Sequence, residues 1–546
     1  MIPEAQLNQI KDPVAKELIK NLANLLEKTL DELENLRLEY QRLKDENNRL
    51  KGEQGKPEVK PSKKTLPNNH SSEKARKKTA DWNKQPKNEK LTITRTEQPV
   101  EMETPLPEDA QFKGVEPYIV QDIKLVSETI CYLRKKYYSP STGKTYYSPL
   151  PKGCNGQFGP NLKTLTLGLH HLCNVSQKNI RTLFTNSGIS ISKGQISNLL
   201  IKGQDAFHLE KSEIVLAGLK SAPWQQTDDT LTRVNGVNQS CHVLGNPHFI
   251  SYTTLPRKDR LSVLQVFMNG TDLLFLLNQE VLNSAYVKKL PLKWRKILSS
   301  LPLGSCWDEP SVRKMMDDKF PTLGAHARKR LIEEFALAGY RFQTVVPVIS
   351  LLVSDDAPQF QGLTEFLALC WIHGGRHFHK LSPHLLCYQE RLANFLKKFW
   401  GFYDDLLAYK SKPSSRKAAS LSKKFDLLFT ANTGYDLLDD RIRKTAANKE
   451  ELLQVLTHPE IPLHNNASEL AVRSRVRKRD VSFGPRTQEG VKAWDTFQTI
   501  AGTALKQGVS VLAYLCDRIS GENKMPSLAS LIAERSKSGD LSRSWA

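Results

Sequence analysis

Three carboxylates in this sequence have residue types and surroundings suited to chemistry: Asp228, Asp355 and Glu469, spaced 127 and 114 residues apart. Asp228 lies in Trp224-Gln225-Gln226-Thr227-Asp228-Asp229-Thr230, which reads as a strand. Asp355-Asp356 ends the apolar run 343–354, read as a buried strand. Glu469 opens a helix. Phosphodiester cleavage uses acids of this kind to hold two divalent ions roughly 3.5–4 Å apart. Strand ends offer the rigid platform that such ligands need. Mg²⁺ or Mn²⁺, two ions per site, suits an oxygen donor set of this kind. Acid pairs at strand ends are also common turn residues, so the spacing alone leaves both readings open.

The stretch Pro462-Leu463-His464-Asn465-Asn466-Ala467-Ser468-Glu469-Leu470-Ala471-Val472-Arg473 is the densest. Asn466 as N-cap with Glu469 three residues on would form a capping box. A basic run follows, with Arg473, Arg475, Arg477, Lys478 and Arg479 giving five cations in seven residues. A carboxylate beside so many cations makes sense where a metal ion and a nucleic-acid backbone share one site.

The bulk composition agrees. The chain has 546 residues, a formal net charge of +21 and a pI near 9.4. Such a balance asks for a polyanionic partner, with nucleic acid first and an anionic membrane surface second. No stretch reaches the length of apolar sequence that spans a bilayer; the best run, 345–353, is short and holds Pro347. The first residues, Met1-Ile2-Pro3-Glu4, lack the basic and apolar regions of a secretion signal. Eight cysteines are scattered with no C-x-x-C, which argues against a zinc ribbon or a disulfide scaffold. The expectation is a reduced, cytoplasmic, nucleoid-associated protein with no membrane partner.

The elements that must position these residues follow in order. Residues 1–50 carry heptads with Leu26, Leu33, Tyr40 and Asn47 at a and Leu36, Leu43 and Leu50 at d. They predict a parallel two-stranded coiled coil and hence a homodimer or larger assembly. Residues 51–114 form a polar linker, whose first part (51–95) holds 13 Lys or Arg against 5 Asp or Glu. It reads as a flexible basic tether. Residues 115–159 alternate and are rich in tyrosine, which suggests a small β-rich module. Residues 160–210 predict helices at 162–172, 177–184 and 192–200, a helix-turn-helix with Gly188 in its turn. Ser192, Lys193, Gln195 and Asn198 would then face a DNA groove.

A three-stranded meander is expected from residue 222, with Asn235-Gly236 as a hairpin turn. It opens a catalytic unit over 222–500. Helical insertions fill about 258–340 and 361–456, the second including a Ser/Lys-rich loop at 411–424. Residues 501–546 form a helical tail.

The C-terminal motif, continued by Arg479-Asp480-Val481-Ser482-Phe483-Gly484, resembles that of transposases of the insertion sequence 66 family. In that family P-L-x-N-N-x-x-E-x-x-x-R precedes G-R-K-N-W-x-F-x-G-S. Asp228-Asp229-Thr230 is similar to its D-E-T motif, Asp355-Asp356 to its D-G-Y motif, and Cys370-Trp371-Ile372-His373 to its C-W-x-H helix. The resemblance covers nearly the whole chain. It implies an α/β fold, an RNase H-like DDE core preceded by a coiled coil and a helix-turn-helix. It further implies cleavage by water and attack of the freed 3′-OH on target DNA, acting on double-stranded element ends and target.

Carried over by motif, the catalytic and metal-binding triad is Asp228, Asp355 and Glu469. Asp229, Asp356, Asn465, Asn466, Cys370 and His373 become supporting residues or, for the two acids, alternatives. Lys193, Gln195, Asn198 and the basic run 473–479 become DNA contacts. The sequence departs from the family in lacking its cysteine-rich zinc-finger motif, in the Ala357-Pro358 after the second acid pair, and in the missing Trp of the basic segment. The competing reading is a non-catalytic DNA-binding regulator, a co-opted transposase.

Overall fold

The structure is a computed structural model describing residues 10–50, 91–97, 106–107, 109–123, 125–154, 156–287 and 289–539. The basic tether at 51–90 lies outside the described residues. A single long helix, α1 (Pro13–Leu50), comes first. A β-hairpin follows, β1 (Lys136–Ser139) and β2 (Lys144–Tyr147), and then helices α2 (Pro160–Leu167), α3 (Gln177–Asn186), α4 (Lys193–Ile201) and α5 (Asp205–Lys220). A π-helical turn, Gly168–Leu172, continues α2. Ser192 caps α4, its Oγ accepting the Gln195 N–H at 3.1 Å.

The meander is present as expected: β3 (Trp224–Val234), β4 (Val237–Gly245) and β5 (Ile250–Leu255). Asn235 (φ 47°) and Gly236 (φ 81°) both turn left-handed between β3 and β4, the geometry a two-residue hairpin loop requires. The first helical insertion holds α6 (Arg260–Phe267), β6 (Phe275–Leu276), α7 (Gln279–Val287), α8 (Leu292–Ser300), β7 (Cys306–Trp307), α9 (Glu309–Lys319) and α10 (Ala325–Phe342). Two strands, β8 (Leu351–Ser354) and β9 (Phe366–Leu369), then return to the sheet. The second insertion holds α11 (Trp371–His379), α12 (Leu386–Ser411), α13 (Ser415–Phe429), α14 (Asp436–Ala446) and α15 (Lys449–Leu452). The chain closes with α16 (Asn466–Ser482), α17 (Gln488–Lys506), α18 (Val511–Ser520) and α19 (Leu528–Ser536).

The five-stranded sheet runs in the order β5-β4-β3-β8-β9. The meander is antiparallel, while β8 pairs parallel to β3 and β9 parallel to β8. Its two faces feed two separate cores, because successive strand residues point to opposite sides. Leu352 packs into the cluster that includes Phe497 and Ile500 of α17 and Ile196 and Leu200 of α4. Leu351 and Val353, its neighbours, pack instead with Trp371, Phe399 and Phe429 of the second insertion. The helices of the helix-turn-helix region therefore share a core with the closing helices.

Three local expectations are corrected. The run 343–354 is a strand only over its last four residues; Gln343 instead folds back, its amide binding the Tyr340 and Val346 carbonyls, and Pro347 offers no N–H to a ladder. The Ser/Lys-rich segment at 411–424 is mostly helix α13, which Ser414 caps and which buries Phe425 and Phe429. Of the tyrosine-rich module only β1 and β2 are strands, and the described residues of 109–135 have no regular structure.

The base of α1 is clamped to the second insertion. Glu27, buried, accepts the backbone N–H of His384 (2.6 Å) and Leu385 (3.2 Å) just before α12. Asn24 bridges the Gly434 carbonyl and the Asp436 N–H. Beyond this clamp the heptad residues Leu33, Leu36, Tyr40, Leu43 and Leu50 are exposed. All eight cysteines are free thiols, and no helix among the described residues is long and apolar enough to cross a membrane.

Candidate active site

β3 runs beside β8, and α16 lies across β3 and β4. This crossing is stitched by two hydrogen bonds. Gln226 Nε2 donates to the His464 carbonyl at 3.2 Å, and Asn465 Nδ2 donates to the Thr227 carbonyl at 2.8 Å. Asp228 shares the strand face of Gln226, two residues before it, and so lies on the side where α16 begins. Asp355 follows directly on the last residue of β8, and Glu469 sits in the first turn of α16. The three acids thus converge from two neighbouring strands and one helix.

Their electrostatics record the convergence. Burial pushes the Asp228 carboxyl up to about 7, with repulsion from Asp355, Asp229 and Glu469 adding to it and the Asp229 N–H opposing it. Asp355 is also raised, again by burial first, against the pull of His373 and Lys258. Crowded, partly desolvated carboxylates of this kind are relieved by a divalent cation, and oxygen donors match Mg²⁺ or Mn²⁺. The chemistry of the donors suits such ions, although among the described residues the three side chains whose ligand atoms lie within 4.8 Å of one another are Cys370, His373 and Glu469.

Glu469, 13 % exposed, is turned toward two arginines and a histidine, with Arg376 Nη2 at 3.2 Å, His373 Nδ1 at 3.6 Å and Arg473 at 3.9 Å. Cys370 Sγ, a His373 ring nitrogen and a Glu469 oxygen all lie within 4.8 Å of one another. Cys370 is buried, its thiol pushed up to about 11 by burial, and its sulfur accepts the Asn465 N–H at 3.3 Å. The C-W-x-H segment thus touches the start of α16 at both of its polar residues.

The neighbouring acids are held by other partners. Asp229, on the other face of β3, pairs with Lys258 Nζ at 2.6 Å and accepts from Gln359 Nε2 at 2.8 Å. Asp356 is exposed and accepts from Gln361 and Asn448. Lys258 and Gln359, isolated polar residues between elements, carry no motif in the sequence, and Arg376 of α11 was given no role there.

Two expectations about α16 are overturned. Asn466 is its first residue and Asn465 stands at the N-cap without a side-chain cap bond, so no capping box forms. The Asn465 amide is drawn instead to the Thr227 carbonyl of β3. The basic run also divides. Ala471, Arg475 and Lys478 are buried at i, i+4 and i+7, whereas Arg473 and Arg477 are exposed and Arg479 half-buried.

Arg475 is ion-paired with Asp495 of α17, donates to Thr254 at 2.9 Å, and lies against the Trp494 ring. Lys478 donates to the His170 carbonyl at 2.5 Å. Neither can reach a phosphate from inside the core, so both leave the set of DNA contacts. Asp495, set between Trp494 and Phe497, was the available signal for a buried cationic partner.

Gly484 explains the end of the motif. Its backbone is left-handed (φ 88°), and a Cβ there would come within 2.1 Å of the Arg233 carbonyl. On α4, Lys193 is exposed and Gln195 and Asn198 are half-buried.

Fold and site define a mixed α/β protein with a half-buried acid cluster at the junction of two parallel strands and a basic helix. Residues 346–493 match the transposase IS66 family. The chain is also similar to the uncharacterised protein y4jO of Sinorhizobium fredii (strain NBRC 101917 / NGR234), 32% identical over 323 residues, which are 58% of this chain and 99% of that protein. The chain belongs to the IS66 family of transposases. No solved structure matches it.

Proposed function

We propose that the protein is an active DDE transposase, cutting the ends of its element and joining the freed 3′-OH to target DNA. The observation that carries this is the shared electrostatic site of Asp228, Asp355 and Glu469, drawn from strand β3, the end of strand β8 and the first turn of α16. In this reading the five-stranded sheet is an RNase H-like core: three antiparallel strands followed by two parallel ones, in spatial order 3-2-1-4-5.

Asp228, Asp355 and Glu469 would hold two Mg²⁺ or Mn²⁺ ions, which when bound activate the attacking oxygen and stabilise the leaving 3′ oxygen. Asn465 and Gln226 fix the start of α16 against β3, so the Glu469 backbone is set relative to Asp228. His373 and Arg376 hold the Glu469 carboxylate. Lys258, held by Asp229 beside Asp355, places a positive charge where a phosphate would approach.

Arg473, Arg477 and Arg479 would follow the DNA backbone, and Lys193, Gln195 and Asn198 of α4 the element end. The free heptad face of α1 supports assembly as a dimer, and the setting would be the bacterial nucleoid. The test is Mg²⁺-dependent cleavage of a cognate end by wild type and Glu469→Ala. Loss of cleavage with DNA binding kept supports the reading. A wild type that binds DNA yet cuts with neither Mg²⁺ nor Mn²⁺ favours the non-catalytic regulator.

A further inference from the structure

The β1–β2 ribbon has no part in the site above, yet its chemistry is specific. Its strands pair antiparallel with Tyr137 opposite Tyr146, Ser139 opposite Lys144 and Lys136 opposite Tyr147. Pleat alternation therefore gives each face an aromatic and a cationic component. One face carries Tyr137, Tyr146, Lys135 and Lys144. The other carries Tyr138 and Tyr147 with Lys136 and Arg134, whose guanidinium lies 5.1 Å from the Tyr147 ring centre. The four ribbon tyrosines are between 51 % and 64 % exposed. A two-stranded ribbon is marginal by itself, and among the described residues these rings are left open on both faces, which calls for an occupant.

Charge says which. From residue 129 to residue 204 the sequence holds ten lysines and arginines and no aspartate or glutamate. That span contains the ribbon and both helices of the helix-turn-helix. The ribbon is also anchored beside them. A Cβ on Gly153, just past β2, would lie 2.8 Å from the Ile519 carbonyl, so the root of the ribbon is pressed against the end of α18. Ser127, on the approach to β1, lies against Gly188 in the turn between α3 and α4.

We infer that the β1–β2 ribbon is a single-strand-binding element, whose tyrosines stack on unpaired DNA bases while Arg134, Lys135, Lys136 and Lys144 hold the phosphates. Every base offers a ring face to an aromatic side chain, and cations between the rings track the backbone. The inference rests on the DNA-processing reading above and adds a strand-holding site to it. No bond is made or broken there.

The test uses the full-length protein and two fluorescent probes, a dT 20-mer and a blunt random duplex of 20 base pairs. Tyr137→Ala/Tyr146→Ala is expected to weaken binding of the dT 20-mer about tenfold or more, with duplex affinity within about twofold. Tyr137→Phe/Tyr146→Phe, which keeps the rings, should bind both probes as wild type. Changing Arg134, Lys135, Lys136 and Lys144 to Gln should flatten the salt dependence of dT binding by roughly three in log–log slope. The rings lie outside both cores, so thermal unfolding should be unchanged in every variant. Unchanged dT binding by the Ala variant, or equal weakening on both probes, overturns the ribbon site. Wild type that binds duplex but not dT overturns it alone; wild type that binds neither probe overturns the DNA reading as well.

Discussion

The Asn465 side chain, wholly buried, donates from Nδ2 to the Thr227 carbonyl at 2.8 Å. One residue after Thr227 stands Asp228, and four after Asn465 stands Glu469. This bond ties β3 to the start of α16. Strand and helix carry the acids, and the amide between them sets their separation. Asn465→Ala would leave that part of the helix start unlatched and a cavity behind it. We expect destabilisation of about 1–3 kcal/mol and at least a tenfold loss of cleavage, with DNA affinity nearly unchanged. Urea unfolding and single-turnover cleavage measure the two effects, and full activity in the variant would remove Asn465 from any positioning role.

The paired acids on β3 should behave differently. Asp228→Asn is expected to abolish metal-dependent cleavage, because its carboxylate lies on the face where α16 starts. Asp229→Asn would loosen Lys258 and Gln359 and slow the reaction by less. Cleavage rates of the two variants at saturating Mn²⁺ decide it, and a dead Asp229→Asn beside a working Asp228→Asn would reverse the assignment.

Within the basic helix, burial separates two kinds of cation. Arg475→Ala leaves Asp495 buried without its partner, a change that costs about 3–5 kcal/mol in comparable pairs. Arg473→Ala and Arg477→Ala should alter stability by under about 0.5 kcal/mol. Each should instead lower the log–log salt slope of duplex binding by about one. Denaturant midpoints and salt titrations check this together; a stable Arg475→Ala protein would contradict the buried pair.

The contribution of His170 to stability should fall as the solution is acidified below about pH 6.5, the ordinary histidine range, while the raised Asp228 carboxyl acts with the opposite sign over the same range. His170 is buried and pushed down to about 3 by burial, with Lys478 adding to the effect. Between those values the unfolded chain binds a proton at His170 that the folded chain does not, so this contribution rises with pH across that window. Each pH unit inside it is worth about 1.4 kcal/mol for one such group. Lys478, also driven down by burial, has the same sign at higher pH. Relative to His170→Gln, the wild-type urea midpoint should lose ground as pH falls from 7.5 to 5, and parallel pH profiles for the two proteins would remove His170 from this role.

The clamp at the foot of α1 gives a final expectation. Glu27→Ala removes the carboxylate that accepts two backbone N–H groups ahead of α12, an N-cap-like loss of about 1–2 kcal/mol. Limited proteolysis should then cut within 13–30 faster than in wild type. Unchanged cleavage there would mean that apolar packing of Ile19 and Ala23 alone holds the helix.

Much of this molecule was legible without coordinates. Heptads at 26–50, the Asn235-Gly236 turn, the Ser192 cap and the three acid motifs depend on near neighbours, and the helix, hairpin and cap all appear where those signals lie. Period-2 and period-3.6 patterns report which residues share a face, since backbone geometry alone sets them. They do not report which face is covered. That Asp228 rather than Asp229 turns toward α16, that Arg475 and Lys478 go inward, and that Asn465 reaches β3 instead of capping its own helix were all decided by partners between 20 and 308 residues away packing onto those faces. Burial of a cation or an amide requires a partner at the right depth, and only the assembled sheet and helices supply one.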